Sequence, residues 1–322
     1  MKTKSLDQLE LAWKVDPVLE TILTNLKNFG SIEMKTQTSS LEFIRAKDKQ
    51  AQLQVTTAKN TFDDGKLILQ KKIKTDGKGV RGCCISEEGD LLITDCFYKQ
   101  TLLTVFASDN KIKYKMPLYP DWAYDITTID EKTVAITVGE SRDQVGIVII
   151  DIKNRRTIKV IKHPGSPWGI TRDHYSLFVC VQGSGIYKIS ISDYSTKRVI
   201  SCDLPTDTYV SVFTGNIYYT NYKDHSIVCC DQNGSRLWTF KDELVVNEPE
   251  GIAIDSNGHV YVVGEKSSNV VIISSDGKHH KQILSKHDGL STPSAIFLDK
   301  ENKKLLVANT QNTAFVYNIL RQ

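Results

Sequence analysis

A short motif that opens an apolar strand returns six times in this 322-residue chain, at Gly82, Asp125, Gly169, Val210, Gly251 and Ala295. The intervals are 43, 44, 41, 41 and 44 residues, a regularity that one irregular core does not require. Each interval is one structural unit, so the chain must fold as an assembly of six.

The clearest unit runs from Pro249 to Val263 and continues from Asn269 to Gly277. It contains three runs rich in β-branched residues, separated by Asp255-Ser-Asn-Gly258 and Ser275-Asp-Gly277. Such turns tolerate positive φ, so the pattern predicts three strands and two tight turns, with a fourth strand following. The other units fit the same template. Second strands are expected at Leu91–Ile93, Val134–Ile136, Leu177–Cys180, Ile217–Tyr219 and Leu305–Val307, and a third strand follows each. Four short strands per period of roughly 40 to 50 residues is the pattern of a β-propeller blade. The expected fold class is all-β, a six-bladed β-propeller.

The sixth unit stops at Gln322 after its third strand, which would leave an unpaired edge. Residues 67–74, Leu-Ile-Leu-Gln-Lys-Lys-Ile-Lys, precede the first unit just as outer strands precede the later ones. They are expected to supply the outer strand of the last blade and to close the ring. The propeller then takes residues 61–322.

Residues 1–60 are expected to form a separate helical lead-in, the end of a coiled-coil region. Leu6, Leu9 and Trp13, then Val15, Leu19, Ile22 and Leu26, step by three and four, with Asp16-Pro17 marking a restart. About two heptads are too short for a stable coiled coil alone, so homodimerisation through this segment would need more helix upstream. Ser39-Ser-Leu-Glu42 has capping-box spacing, but the stretch after it reads equally as helix or extended chain.

Composition narrows the function classes. Lys and Arg number 41 against 38 Asp and Glu, so net charge gives no global pull toward nucleic acid or anionic membrane. The longest apolar run, Val145 to Ile152, is far too short to cross a bilayer, and charges interrupt the first turns where a secretory signal would be apolar. The expected location is the cytoplasm. Seven cysteines without a C-x-x-C spacing point to buried reduced thiols rather than bridges or a zinc site. No nucleophile motif or glycine-rich phosphate loop occurs, so no catalytic residue, metal or cofactor is assigned.

Pro249-x-Gly-Ile-Ala-Ile-Asp-x-x-Gly-x-Val-Tyr-Val, with Asn269 and Asp276-Gly277 downstream, resembles an NHL repeat, the propeller unit at the C-terminus of many tripartite-motif (TRIM) proteins. Pro293–Asp299 and Pro167–Asp173 are partial copies. The repeat's usual basic residue after the Asn is replaced by Val270-Val271, so the array is degenerate. With the helix around Leu11–Glu20, the chain looks like the C-terminal portion of the divergent invertebrate TRIM-like group. The resemblance implies an E3 ubiquitin ligase in which a RING, absent from this chain, recruits the charged E2 while the propeller selects the protein to be modified.

The expected binding surface is the face formed by loops that enter each blade and loops that join second to third strands. Aromatic and Arg side chains are the usual anchors of protein interfaces. Arg81, Tyr98, Lys99, Trp122, Tyr124, Arg142, Trp168, Tyr209 and Tyr222 are therefore the candidate partner-binding residues. Trp168, Tyr124 and Tyr209 stand at equivalent blade starts, where packing between blades is the competing role. An alternative is a single-stranded RNA-binding NHL propeller, although acids such as Asp95, Asp121, Glu248 and Glu265 lie among the basic loop residues. A metal-dependent propeller hydrolase or lactonase is a third reading. It needs oxygen ligands converging from several blades, and the blade starts Arg81, Asp125, Trp168, Tyr209, Glu250 and Ser294 include only two acids.

Overall fold

Each predicted unit becomes one four-stranded antiparallel sheet in the computed structural model, which describes residues 66–97, 100–118, 122–139 and 145–320. The expected N-terminal helices lie outside the described residues. The innermost strands of blades one to six are Val80–Ile85, Ala123–Thr128, Pro167–Asp173, Val210–Phe213, Pro249–Ile254 and Pro293–Asp299. Three further strands follow outward in each of the first five blades, each pairing with the one before it. The chain is a six-bladed β-propeller.

The sixth blade is closed from the other end of the sequence. Lys66–Lys74 pairs antiparallel with Thr313–Leu320, from Lys66 opposite Leu320 to Lys74 opposite Thr313. The clasp continues past the strand, where the Thr75 amide donates to the Asn312 carbonyl (3.0 Å) and the Val80 amide to the Thr310 carbonyl (2.8 Å). An edge strand left open would present unpaired donors and acceptors, and this pairing removes it.

The apolar core lies between blades. It falls into six clusters, each joining two neighbouring sheets, such as Cys84, Leu92 and Leu103 of blade one with Ile126, Ile136 and Val148 of blade two. The cluster of blades six and one contains Ile73 from the clasping strand, packed with Val80, Leu306, Ala314 and Val316. This arrangement explains the double-faced burial of the second and third strands, in which adjacent residues both lose solvent. Outer strands alternate or stay exposed, as in Arg156–Lys162, because only one of their faces meets a neighbour.

Glycine sets how closely the inner strands approach. A Cβ at Gly169 would stand 2.4 Å from Tyr209 Cα and 2.7 Å from the Thr208 carbonyl oxygen, so the inner strands of blades three and four meet backbone to backbone there. Seam hydrogen bonds accompany the contact. The Thr94 hydroxyl in blade one donates to the Tyr124 carbonyl of blade two, and the Thr137 hydroxyl in blade two donates to the Trp168 carbonyl of blade three. The Ser294 hydroxyl in blade six closes the circle on the Val80 carbonyl at 2.7 Å.

In five blades the inner strand begins two residues earlier than the repeat motif suggests, and its register slips at the same place. The slips fall between Val80 and Gly82, Ala123 and Ile126, Pro167 and Ile170, Pro249 and Ile252, and Pro293 and Ala295. A bulge breaks the alternation of side chains and re-aims those within it. Arg81, Asp125 and Glu250 all sit in such bulges, where regular pleating would not have placed them.

Candidate recognition face and central channel

The loops entering each blade form one face of the disc, and Arg81 stands near its centre. Arg81 belongs to blade one, yet its Nη1 lies 3.3 Å from Asp207, in the loop leading into blade four, and 3.4 Å from Glu250 of blade five. From blade four the Tyr209 hydroxyl donates to the Arg81 carbonyl at 2.6 Å. Blades one and four are opposite members of the ring, so these contacts cross the central channel and close its end on this face. Burial opposes the Arg81 charge, but Glu250, Tyr209, Asp207 and Glu265 around it hold the guanidinium above its ordinary pKa. Burial drives the Glu250 carboxyl well above the usual carboxylate range, with Arg81 opposing and Glu265 reinforcing the shift. Its Oε2 is buried without a hydrogen-bond partner.

The predicted partner-binding residues separate into three groups. Tyr124, Trp168 and Tyr209 are buried at blade seams, and the rings of Tyr124 and Trp168 lie with centroids 3.9 Å apart across the seam of blades two and three. The packing role weighed against recognition for these three residues is the one their geometry displays. Arg81, Trp122 and Tyr222 keep part of their surface on the loop face. The Tyr222 hydroxyl accepts from Thr206 at 3.3 Å. Tyr98, Lys99 and Arg142 lie outside the described residues.

Two further side chains stand on this face, Leu244, which was not among the sequence candidates, and Phe97, an aromatic of the same set of loops. Leu244, in the loop between blades four and five, is 98% exposed, and Phe97 at the end of a second strand is 36% exposed, with the Lys78 ammonium 5.3 Å from its ring centre. An exposed Leu is common and carries no sequence signal, so only the position of its loop gives it meaning. Opposite charges pair off around these residues: Lys266 meets Glu248 at 3.3 Å, and Arg81 has its two carboxylates. The face is mixed in sign, with apolar anchors between neutralised charges.

Beneath the Arg81 bridge runs a cavity of about 570 Å³, walled by all six inner strands. It opens on the opposite face, among the hairpins joining first to second strands, where Glu87, Asp173, Asp299 and Glu301 surround Arg172, His174 and Lys300. Deep in the channel, Asp125 accepts from the Ile126 amide at Oδ1 and the Ile170 amide at Oδ2, both at 2.9 Å. Burial raises its pKa to about 7 against the pull of those two amides. Among the described residues no group of three or more His, Cys, Asp or Glu side chains converges on a point that could hold a metal ion.

The motif residues of the fifth blade have structural duties. Asn269 is buried, donating to the Val245 carbonyl and to Gln282 Oε1 at 2.8 Å each, which ties down the loop entering its blade. Asp255 accepts from the Asn257 and His259 amides at 2.8 and 2.9 Å and fixes the first hairpin. All seven cysteines are free thiols, and burial raises the pKa of Cys83, Cys84 and Cys180. No helix of the described residues is long and apolar enough to cross a membrane.

Comparison with known proteins agrees with this architecture. No protein-family model matches the chain. A segment of 106 residues, 33% of the chain, is 24% identical to the mouse (Mus musculus) E3 ubiquitin-protein ligase TRIM56, and spans 14% of that protein's length. Among solved structures, virginiamycin B lyase from Staphylococcus aureus superposes with a TM-score of 0.58 at 14% identity, covering 79% of this chain and 100% of the lyase. A protein of unknown function from Bacteroides thetaiotaomicron superposes with a TM-score of 0.62 at 13% identity, covering 80% of this chain and 72% of its own. At such identities the likeness is one of fold.

Proposed function

We propose that this propeller is a protein-recognition module of the TRIM type, which holds a partner on its loop face so that a RING on another segment or chain can transfer ubiquitin to it in the cytoplasm. The observation that carries the reading is the composition of that face. Trp122, Tyr222, Phe97 and Leu244 offer apolar anchors, while Arg81 and Lys266 are already matched by carboxylates. A protein partner rewards this combination of apolar burial and paired charge. A nucleic-acid backbone rewards a surplus of unpaired cations, and the described loops offer little surplus. The local similarity to a TRIM ligase supports the choice of partner chemistry.

The test is quantitative capture of partners from RNase-treated cell extract on the full chain, compared with two multiple variants. Trp122→Ala/Tyr222→Ala/Leu244→Ala strips the loop face, and Ile158→Ala/Leu237→Ala strips exposed residues of outer strands. A partner retained by the outer-strand variant and reduced at least about tenfold by the loop-face variant, the loss of roughly one interface hot spot, supports the proposal. Conjugation of ubiquitin to that partner should rise when a RING is fused to the propeller. Retention indifferent to the loop-face substitutions overturns the reading, and capture abolished by RNase replaces it with the RNA alternative.

A further inference from the structure

The central channel is a second candidate site, on the opposite side of the molecule from the recognition face and independent of it. Its volume of about 570 Å³ falls within the range of pockets that take small organic ligands, roughly 300 to 1,000 Å³. One end is sealed by the hydrogen bond and ion pairs that join Arg81 to blades four and five. The other end is open, so a ligand entering among the hairpins meets a floor rather than a through-pore.

What lies along that path decides the ligand. Five carboxyl side chains line the channel against two basic ones, Arg172 and Lys300, with His174 at the mouth. Both basic residues belong to the mouth, and they are engaged there. Arg172 Nε donates to the His174 carbonyl at 3.0 Å, and the Lys300 ammonium sits 5.4 Å from the Phe213 ring centre, where burial lowers its pKa. Deeper in, Thr127, Thr171 and Ser211 stand among apolar residues such as Ile170, Val210 and Ile252, and Asp125 lies beyond them. The Asp125 carboxyl has two backbone amides as its partners, one on each oxygen, and among the described residues no basic side chain pairs with it. Each oxygen therefore keeps acceptor capacity on the channel side.

We propose that the channel binds a small primary amine, which enters from the hairpin face with its ammonium group against Asp125 and its chain along the Thr127, Thr171 and Ser211 hydroxyls. A bare divalent cation suits the site poorly, because it needs six or more oxygen ligands and this channel brings one buried carboxylate to its floor. An ammonium needs only two or three acceptors, which one carboxylate and neighbouring hydroxyls supply. The raised pKa of Asp125 belongs to the same account, since a buried carboxylate without a cation favours its proton and an arriving ammonium would replace it.

The experiment is titration calorimetry of the full chain with n-butylamine, ethanolamine and spermidine at physiological ionic strength, with butyrate as the anionic control. Saturable one-to-one binding of at least one amine is expected, with a Kd of about 1 mM or tighter, and none of butyrate. Asp125→Asn should weaken amine binding at least about tenfold, as loss of a charge-assisted contact does. Thr171→Tyr, which fills the channel and leaves Asp125 in place, should abolish binding while circular dichroism shows the sheet intact. Leu237→Ala, on an exposed outer strand away from the channel, should leave binding unchanged. Absence of saturable binding by all three amines overturns the proposal, and so does equal affinity in Thr171→Tyr. Partner capture on the loop face should survive Thr171→Tyr, so failure of one reading is distinguishable from failure of the other.

Discussion

Ile73→Ala tests whether the ring is held by its N-terminal strand. Ile73 is the one residue of Lys66–Lys74 that is fully buried, at 2% exposure, and it enters the cluster that joins blades six and one. The substitution removes three carbons. At about 0.8 kcal/mol per buried methylene this comes to about 2.5 kcal/mol, and the cavity left beside Leu306 and Val316 brings the loss to about 3 to 4 kcal/mol. In a domain of this size each kcal/mol lowers Tm by about 2 to 4 °C, so the expected drop is about 6 to 16 °C. Leu69, in the same strand and paired with Tyr317, is 49% exposed, so Leu69→Ala should cost less than about 1 kcal/mol. Differential scanning calorimetry and urea denaturation followed by tryptophan fluorescence would measure both. If Ile73→Ala unfolds within about 1 °C of wild type, the clasp is not part of the cooperative unit, and the argument from edge closure fails.

Three other predictions follow from buried charge and close contact. Asp125 titrates from 3.8 unfolded to about 7 folded. The folded state then binds more protons between those values, so stability falls as pH rises from about 4 to about 7, by at most about 4 kcal/mol. Asp125→Asn should remove that slope in urea denaturation across the window, and an unchanged slope refutes the assignment. Arg81→Ala should cost about 1 to 3 kcal/mol through loss of its contacts with Asp207 and Glu250, and urea denaturation showing no loss would contradict this. Gly169→Ala should destabilise by about 1 to 3 kcal/mol because its Cβ overlaps Tyr209 and Thr208. Gly89→Ala meets no atom within 4 Å and should cost only the strain of its φ of +82°, about 1 kcal/mol, and calorimetry that reverses the order refutes the seam argument.

Legibility of the fold and legibility of the site differ for a physical reason. Strand alternation and turn chemistry act over a few residues, so six units could be read without knowing where any unit sits. The site depends on which blades face each other across the ring. Tyr209 and Arg81 are 128 residues apart and meet only because blades four and one are opposed. Aromatic residues at blade starts carry the same local signal whether they point into a seam or onto a face, and at Tyr124 and Trp168 the inner-strand bulges make that choice. The fifth-blade motif is the most legible segment for a related reason: Asn269 and Asp255 satisfy local backbone groups, and such duties impose a pattern. The side chain of Leu244, 98% exposed, has no such duty and leaves none.

By itself, the sequence determined the number of blades, their order, and the strand that closes the last one, because six repeats and a spare strand at residues 67–74 are matters of counting. Only the tertiary structure decided that Tyr124, Trp168 and Tyr209 belong to seams, that Arg81 seals one end of the channel, and that Asp125 lies in its depth. Periodicity specifies the repeat that neighbouring residues build together, while a channel is made by residues from every blade at once.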